Sequence, residues 1–324
     1  MIITRSPLRI SIGGGATDLK SFSKLYGGFW IATSINKYVF TTVTRPFEEG
    51  IYLKYSKLEK TKSINQISHP IIRECLKYLG FSTPQIEITT LADIPAGTGL
   101  GSSGSFTTAL LKALHVYKKK SIDTNSLAKL ACSIEIDKLK APIGIQDQYI
   151  AAYGGIRCFE YDGENVVTYP LNIDYNTLIK LEDNLLLFFT GFTRRANDIL
   201  KDQDSKTKSL DPSMIANLNE IKTMGHDIKK CLEGGNVKKF SDIMNEHWNI
   251  KKKRSDKMTN SNIDAWIDYG LKNGATGAKL IGAGMNGFIM FYANDKNKLR
   301  SAMSKIPLEE VRFKFDFEGT KVIV

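Results

Sequence analysis

The sequence predicts an α+β fold in two parts, and three observations carry that reading. Strand-like and helix-like segments are mixed along the chain rather than alternating regularly, which argues against a doubly wound parallel sheet. The 324 residues suggest two domains, or one large unit with a shared cleft. A continuous apolar segment at 185–190 opens a second half, so the expected domains are 1–184 and 185–324.

Each element has its own signal. Residues 8–12 alternate apolar and polar side chains as a strand does, and so does much of 38–44. Residues 19–26 suit a short helix with Asp18 as its cap, and 85–91 has strand character. Phe106, Leu110, Ala113 and Leu114 share one face of a helix over 105–117. A helix over 124–139 starts at Asp123 or Thr124 and carries a stripe of Leu127, Leu130, Ala131 and Ile134. In the second half the pattern predicts helices over 212–232, 237–252 and 262–273, with Gly274 as a stop. A second glycine-rich segment at 282–287 leads into a strand over 288–293, and a last strand is expected over 311–317.

Composition limits the function classes. With 42% hydrophobic and 24% charged residues the chain reads as a soluble globular protein. No apolar run follows a basic start, and the run at 185–189 is far too short to span a bilayer, so neither a signal peptide nor membrane association is expected. Cys75, Cys132, Cys158 and Cys231 are widely spread without metal-site spacing, which fits a reduced cytoplasmic protein. The net charge of +11 comes from short basic runs at 118–120, 229–230, 238–239 and 251–254, not interleaved with aromatics. They read as solvated faces; a nucleic-acid partner is not expected, whereas anionic small molecules are compatible.

The most informative segment is Pro95-Ala96-Gly97-Thr98-Gly99-Leu100-Gly101-Ser102-Ser103-Gly104-Ser105, between a strand and a helix. A glycine-rich turn feeding a helix N-terminus lets main-chain N–H groups close on an anion, phosphate above all. No Gly-Lys-Ser or Gly-Lys-Thr of a Walker loop occurs, nor the downstream motifs of a protein kinase. Gly99, Gly101 and Gly104 do satisfy a dinucleotide fingerprint, with Asp123 about 20 residues on. A dinucleotide-dependent oxidoreductase is therefore a rival reading, although Asp123 follows a basic turn rather than a strand.

Three further constellations bear chemistry. Arg9 lies on a strand that runs into Gly13-Gly14-Gly15, where the backbone can approach a ligand closely, followed by Ala16, Thr17 and Asp18. Asp18 suits sugar hydroxyls, or a helix cap. Asp147, between Gln146 and Gln148 after a Pro/Gly loop, suits the orientation or deprotonation of an attacking hydroxyl, or again a cap. Glu135, on the flank of an apolar stripe, would with a loop serine offer Mg²⁺ hard oxygen ligands; Asp137 is its competitor.

These motifs, in this order, resemble the GHMP kinases, the superfamily of galactokinase, homoserine kinase, mevalonate kinase and phosphomevalonate kinase. The family's first motif resembles residues 7–18, its phosphate loop P-x-x-x-G-L-G-S-S resembles 95–103, and its G-A-G-x-G-G motif resembles 282–287. The segments 144–149, 247–253 and 273–282 look most like the D-glycero-D-manno-heptose 7-phosphate kinase branch. The resemblance implies a two-domain architecture with the active site in the cleft between the halves. It implies transfer of the γ-phosphoryl of ATP to the anomeric hydroxyl of a heptose 7-phosphate, for nucleotide-activated heptose and surface polysaccharide. A galactokinase or fucokinase type of sugar kinase is the alternative. By the same resemblance Asp147 is the catalytic carboxylate and Arg9 its partner. Pro95, Gly97, Gly99, Leu100, Gly101, Ser102 and Ser103 wrap the ATP phosphates. Ser103 and Glu135 hold Mg²⁺, with Ser102 as the alternative hydroxyl. Gly14, Gly15, Thr17, Asp18, Gly282 and Gly284 line the acceptor site. Arg194, with Arg195, or the 251–254 run would meet the acceptor's distal phosphate. The implied partners are ATP and a sugar phosphate, with a homodimer left open. Two departures stand out: Met285-Asn286 in the third motif where small residues are usual, and Ala16 in place of a glycine in the first.

Overall fold

The computed structural model of the chain describes residues 1–82, 85–191, 197–255, 258–285 and 287–324. In chain order its elements are β1 (Ile2–Gly13), α1 (Lys20–Tyr26), β2 (Gly28–Thr44), β3 (Gly50–Lys54), β4 (Leu58–Thr61), α2 (Pro70–Tyr78), β5 (Gln85–Ala92), α3 (Ser102–Tyr117), α4 (Thr124–Cys132), α5 (Gln146–Tyr153), β6 (Ile156–Tyr161) and β7 (Val166–Pro170). Then follow α6 (Tyr175–Asn184), β8 (Leu185–Phe189), α7 (Asn197–Lys208), α8 (Pro212–Glu233), α9 (Val237–Lys252), α10 (Ser261–Lys272), β9 (Gly277–Leu280), β10 (Phe288–Tyr292), α11 (Lys296–Met303), β11 (Glu309–Val311) and β12 (Lys321–Val322).

Two sheets organise these elements. In the larger, β1 runs antiparallel along β2 over most of its length. The other edge of β2 is divided, residues 28–33 pairing with β6 and 39–44 with β5. Only β3 and β5 pair in parallel among the described residues, so the sheet is mixed, as expected of an α+β fold. The smaller sheet is antiparallel, in the order β11-β8-β10-β9.

The apolar run at 185–189 is explained by burial on both faces of the small sheet. Leu185 and Leu187 join the core that also holds Leu8, Ile10 and Ile12 of β1, whereas Leu186 and Phe188 pack with Ile263 and Ile267 of α10. The first of these cores is thus shared by both sheets, with α8 and α9 contributing Ile221, Ile228, Phe240 and Met244. A further core beneath the large sheet is built from Trp30 and from Leu110, Leu111 and Leu114 of α3.

Several expectations need correction. The helix expected over 124–139 is α4 followed by a π-helical turn, Ser133–Lys138. The strand expected over 311–317 is reduced to β11 and an isolated bridge between Phe315 and Ile35. Helix α3 begins three residues before the expected start, which brings Ser102 and Ser103 into its first turn. The four cysteines are buried free thiols. Among the described residues no helix is long and apolar enough to cross a membrane.

Candidate active site

A cavity of about 1320 Å³ collects side chains from nearly every motif singled out in the sequence. At its centre is the loop between β5 and α3. Gly97, Gly99 and Gly101 alternate along it with φ of 81°, 82° and 77°, and Gly101 serves as the N-cap of α3. Such alternation about left-handed residues turns successive N–H groups to one side. Among the described residues, none of the main-chain N–H groups of 97–104 donates a hydrogen bond. With the positive end of the α3 dipole behind them, these groups form a cradle for an anion.

Arg9 ties the loop to β1. Its own N–H donates to the Leu100 carbonyl at 2.9 Å, and its Nη1 donates to the Gly99 carbonyl at 2.5 Å. The same guanidinium meets Asp147, in the first turn of α5, with Nε and Nη2 both 2.7 Å from Oδ1. Arg9 is buried, and the Asp147 side chain keeps about 30% of its surface open toward the cavity. Asp147 makes no capping bond.

The π-helical turn after α4 bears Glu135, which is 2% exposed. Its Oε2 accepts from the Ser103 hydroxyl, and its Oε1 accepts from Gln148 Nε2 at 2.9 Å. Burial pushes the Glu135 carboxyl upward, and the bonds from Ser103 and Gln148 pull it back. The Ser102 hydroxyl and Gln148 Oε1 are buried without partners nearby. A carboxylate, a hydroxyl and an amide oxygen grouped beside the anion cradle are the hard donors that Mg²⁺ prefers, so the residues fit that ion. Asp137, the competitor, is exposed. The extra residue that a π-turn inserts is what re-aims this stretch, a device common at functional sites.

The turn after β1 places the remaining first-motif residues unevenly. Asp18 is buried against the cavity; its Oδ1 accepts from Ala16 N and its Oδ2 from Gln146 N at 2.9 Å. It is not the cap of α1, whose N-cap is Leu19. Burial holds its carboxyl above the usual range. Gly15 also lines the cavity. Thr17 does not: it is fully buried, and its hydroxyl lies 2.8 Å from the carbonyls of Gly14 and Phe29, so it shapes the turn. Gly14 likewise packs on β2, where a Cβ would lie 2.1 Å from the Phe29 carbonyl oxygen.

The third motif meets the phosphate loop directly. A Cβ on Gly282 would lie 2.7 Å from the Gly99 Cα. Gly284 instead packs on Met258, outside the cavity lining. Both departures noted in the motifs fall at positive φ, 80° at Ala16 and 69° at Met285, where glycine carries no Cβ penalty. Asn286 and Arg194, with Arg195, lie outside the described residues.

The sequence reading missed one end of the cavity and found only part of the other, where it named the 251–254 run for a distal phosphate but neither His247 nor Lys279. One end is apolar and aromatic, with the His69 ring 4.8 Å from Tyr55 and 5.0 Å from Phe106, beside Val39, Leu91 and Ile94. The other holds His247, Lys251, Arg254 and Lys279, all buried. The run at 251–254 is therefore not a solvated face: Lys251 and Arg254 turn inward, while Lys253 is exposed.

The fold also closes the dinucleotide alternative. Asp123 is the exposed N-cap of α4, its Oδ1 accepting from Ser126 N at 2.9 Å, and the strand that follows β5, β6, pairs with β2 and β7 rather than with β5.

Comparison with known proteins agrees with this geometry. Residues 66–155 match the family model for the GHMP kinases N terminal domain, and residues 228–307 match that for GHMP kinases C terminal. A D-glycero-alpha-D-manno-heptose 7-phosphate kinase of Campylobacter jejuni is 29% identical, covering 99% of this chain and 98% of the relative. An L-fucokinase/L-fucose-1-P guanylyltransferase of Bacteroides fragilis is 27% identical over 90% of this chain but only 34% of its own length. The solved structure of a D-glycero-D-manno-heptose 1-phosphate kinase from Bacteriodes thetaiotaomicron superposes with a TM-score of 0.83 at 25% identity, covering 100% of this chain and 99% of that one. With its loop, metal-type donors and Arg–Asp pair in one cavity, the chain belongs to the GHMP kinases.

Proposed function

We propose that this protein is a sugar kinase that transfers the γ-phosphoryl group of MgATP to the anomeric hydroxyl of a heptose 7-phosphate. The observation that carries the reading is the run of unbonded N–H groups at 97–104 lying between the Arg9–Asp147 pair and the Ser103–Glu135 pair. The full-length similarity to a heptose 7-phosphate kinase favours that acceptor over galactose or fucose.

In this reading the triphosphate lies on the loop from Pro95 to Ser103, and the adenine lies between Tyr55, His69 and Phe106. Ser103 and Glu135, with Ser102 at hand, would hold Mg²⁺, which supplies charge neutralisation for the phosphate oxygens. Asp18 and Gly15 face the acceptor's hydroxyls. Asp147 accepts the proton of the attacking hydroxyl through its free oxygen, or orients that hydroxyl, while Arg9 holds the carboxylate in place and offsets negative charge on the transferred group. Residues 1–184 would supply donor site and catalytic pair, and 185–324 the third motif and the basic end.

An ATP-consumption screen over heptose 7-phosphate, mannose, galactose, fucose, mevalonate and homoserine tests the proposal. Turnover with heptose 7-phosphate well above the others is expected. Turnover confined to an unphosphorylated sugar would reassign the acceptor, and no turnover with any would sink the kinase reading.

A further inference from the structure

The basic end of the cavity carries charge that the described protein does not balance. His247 and Lys251 lie one turn apart on α9, Arg254 follows just beyond its end, and Lys279 is on β9. Their exposures are 4%, 8%, 5% and 2%. The cations bond to neutral oxygens: Lys251 Nζ donates to the carbonyls of Leu280 at 3.1 Å and Gly282 at 2.5 Å, and Lys279 Nζ to that of Ile12 at 2.6 Å. Arg254 donates to Asn217 Oδ1 at 2.8 Å, and its Nη2 lies 3.5 Å from the Gly15 carbonyl. None of the three forms an ion pair among the described residues, and both ring nitrogens of His247 are buried without a partner. Asp18 acts on Arg254 as the nearest opposing charge, but that carboxylate already accepts from Ala16 N and Gln146 N.

Unpaired buried cations are costly, and these repel one another. Burial draws Lys279 down to about 7 and Arg254 to about 10, and it draws Lys251 and His247 well below their usual values. Such an arrangement is stable in use when a ligand brings the missing negative charge. The carbonyls that the cations hold locate that ligand. Lys279 and Arg254 hold the carbonyls of Ile12 and Gly15, in the segment that leads to Asp18 and is the acceptor side in the reading above, whereas Lys251 holds that of Gly282, which packs on Gly99 of the phosphate loop; two of the three cations thus place the anion with the acceptor.

We infer that Lys251, Arg254 and Lys279, with His247, form a phosphate subsite for the acceptor's own phosphate group, and that this subsite selects a phosphorylated sugar over its neutral counterpart. The inference rests on the heptose-phosphate reading above and assigns its specificity to four residues.

The test is steady-state kinetics of wild type, Lys279→Met, Lys251→Met and Arg254→Met with D-glycero-D-manno-heptose 7-phosphate and with the unphosphorylated heptose. Each variant should raise KM for the sugar phosphate by about 10–100-fold, the loss of one charged hydrogen bond. KM for ATP should stay within about twofold, and the preference for the phosphorylated sugar should shrink by the same factor as its KM rises. Arg254→Lys, which keeps the charge, should fall between wild type and Arg254→Met; it also serves if a Met variant fails to fold. Calorimetric titration with inorganic phosphate, in the presence of a saturating non-hydrolysable ATP analogue, should give binding to wild type and none to Lys279→Met. An unchanged KM for the sugar phosphate in all variants would overturn the subsite and leave the kinase reading standing. A rise in KM for ATP instead would assign the cluster to the donor and overturn it too. Wild type that phosphorylates only unphosphorylated sugars would remove both acceptor and subsite.

Discussion

Arg9 grips Asp147 through a single oxygen, Nε and Nη2 of the guanidinium both lying 2.7 Å from Oδ1. The second carboxylate oxygen accepts no hydrogen bond among the described residues, which is where the proposed reaction puts the acceptor hydroxyl. Asp147→Asn can keep the amide oxygen on Arg9 and present an NH₂ group where the acceptor oxygen was. We expect a folded protein with nearly unchanged KM for ATP and kcat lowered by ~10²–10⁴. Arg9→Lys should behave differently. It loses the bond to the Gly99 carbonyl as well as the fork on Asp147, so both kcat and KM for ATP should worsen.

Glu135 tests the proposed metal site. Glu135→Gln keeps the shape and can still bond Ser103 and Gln148, so the fold should survive. Its Mg²⁺ requirement should rise at least tenfold, and Gln148→Leu, which removes the bond that supports Glu135 together with the neighbouring amide oxygen, should raise it by about 10–100-fold. Titrating activity against Mg²⁺ at fixed ATP checks both. An unchanged Mg²⁺ midpoint in both variants would exclude Glu135 as a ligand.

The contact between Gly282 and Gly99 makes the third motif a buttress for the phosphate loop. Gly282→Ala adds a Cβ at φ 85°, 2.7 Å from the Gly99 Cα. Strain of about 1–3 kcal/mol is expected in unfolding free energy. Displacement of the loop should also raise KM for ATP. Loss of stability with an unchanged KM would separate the two effects.

The depressed Lys279 makes stability pH-dependent. Below pH about 7 the side chain is charged in both folded and unfolded chains, and its burial cost is fully present. Between about 7 and the ordinary 10.5 the unfolded chain binds a proton that the folded protein has released, so stability rises with pH. Lys251 acts in the same direction. Urea unfolding at pH 6.5 and pH 9, in buffer free of phosphate, should therefore show wild type gaining on Lys279→Met by up to about 1.4 kcal/mol per pH unit inside that window. A constant difference between the two proteins would contradict a buried, depressed Lys279.

Much of the site was legible because its signals are local. The glycine alternation at 97–101, the strand before it and the helix after it lie within a few residues of one another, and that juxtaposition makes the anion cradle. Arg9, Asp18, Glu135 and Asp147 were each singled out, though capping was an equally good account of Asp18 and Asp147. Thr17 shows the limit of such reading. A threonine beside an aspartate suits a sugar as well as a turn; its hydroxyl is held by the Gly14 carbonyl of its own turn and by the Phe29 carbonyl that β2 brings alongside.

Short-range pattern therefore determined the mixed α+β elements, the donor loop and the short list of carboxylates, because dihedral preference, capping and periodicity act between neighbours in the chain. Tertiary packing alone decided which of those side chains meet. Arg9 reaches Asp147 across 138 positions, and Lys279 reaches Ile12 across 267. It also decided that Lys251 and Arg254 face inward while Lys253 does not. Helical periodicity tells which residues share a face. Whether that face meets water or a cavity depends on the element packed against it, and a lysine reads the same in both.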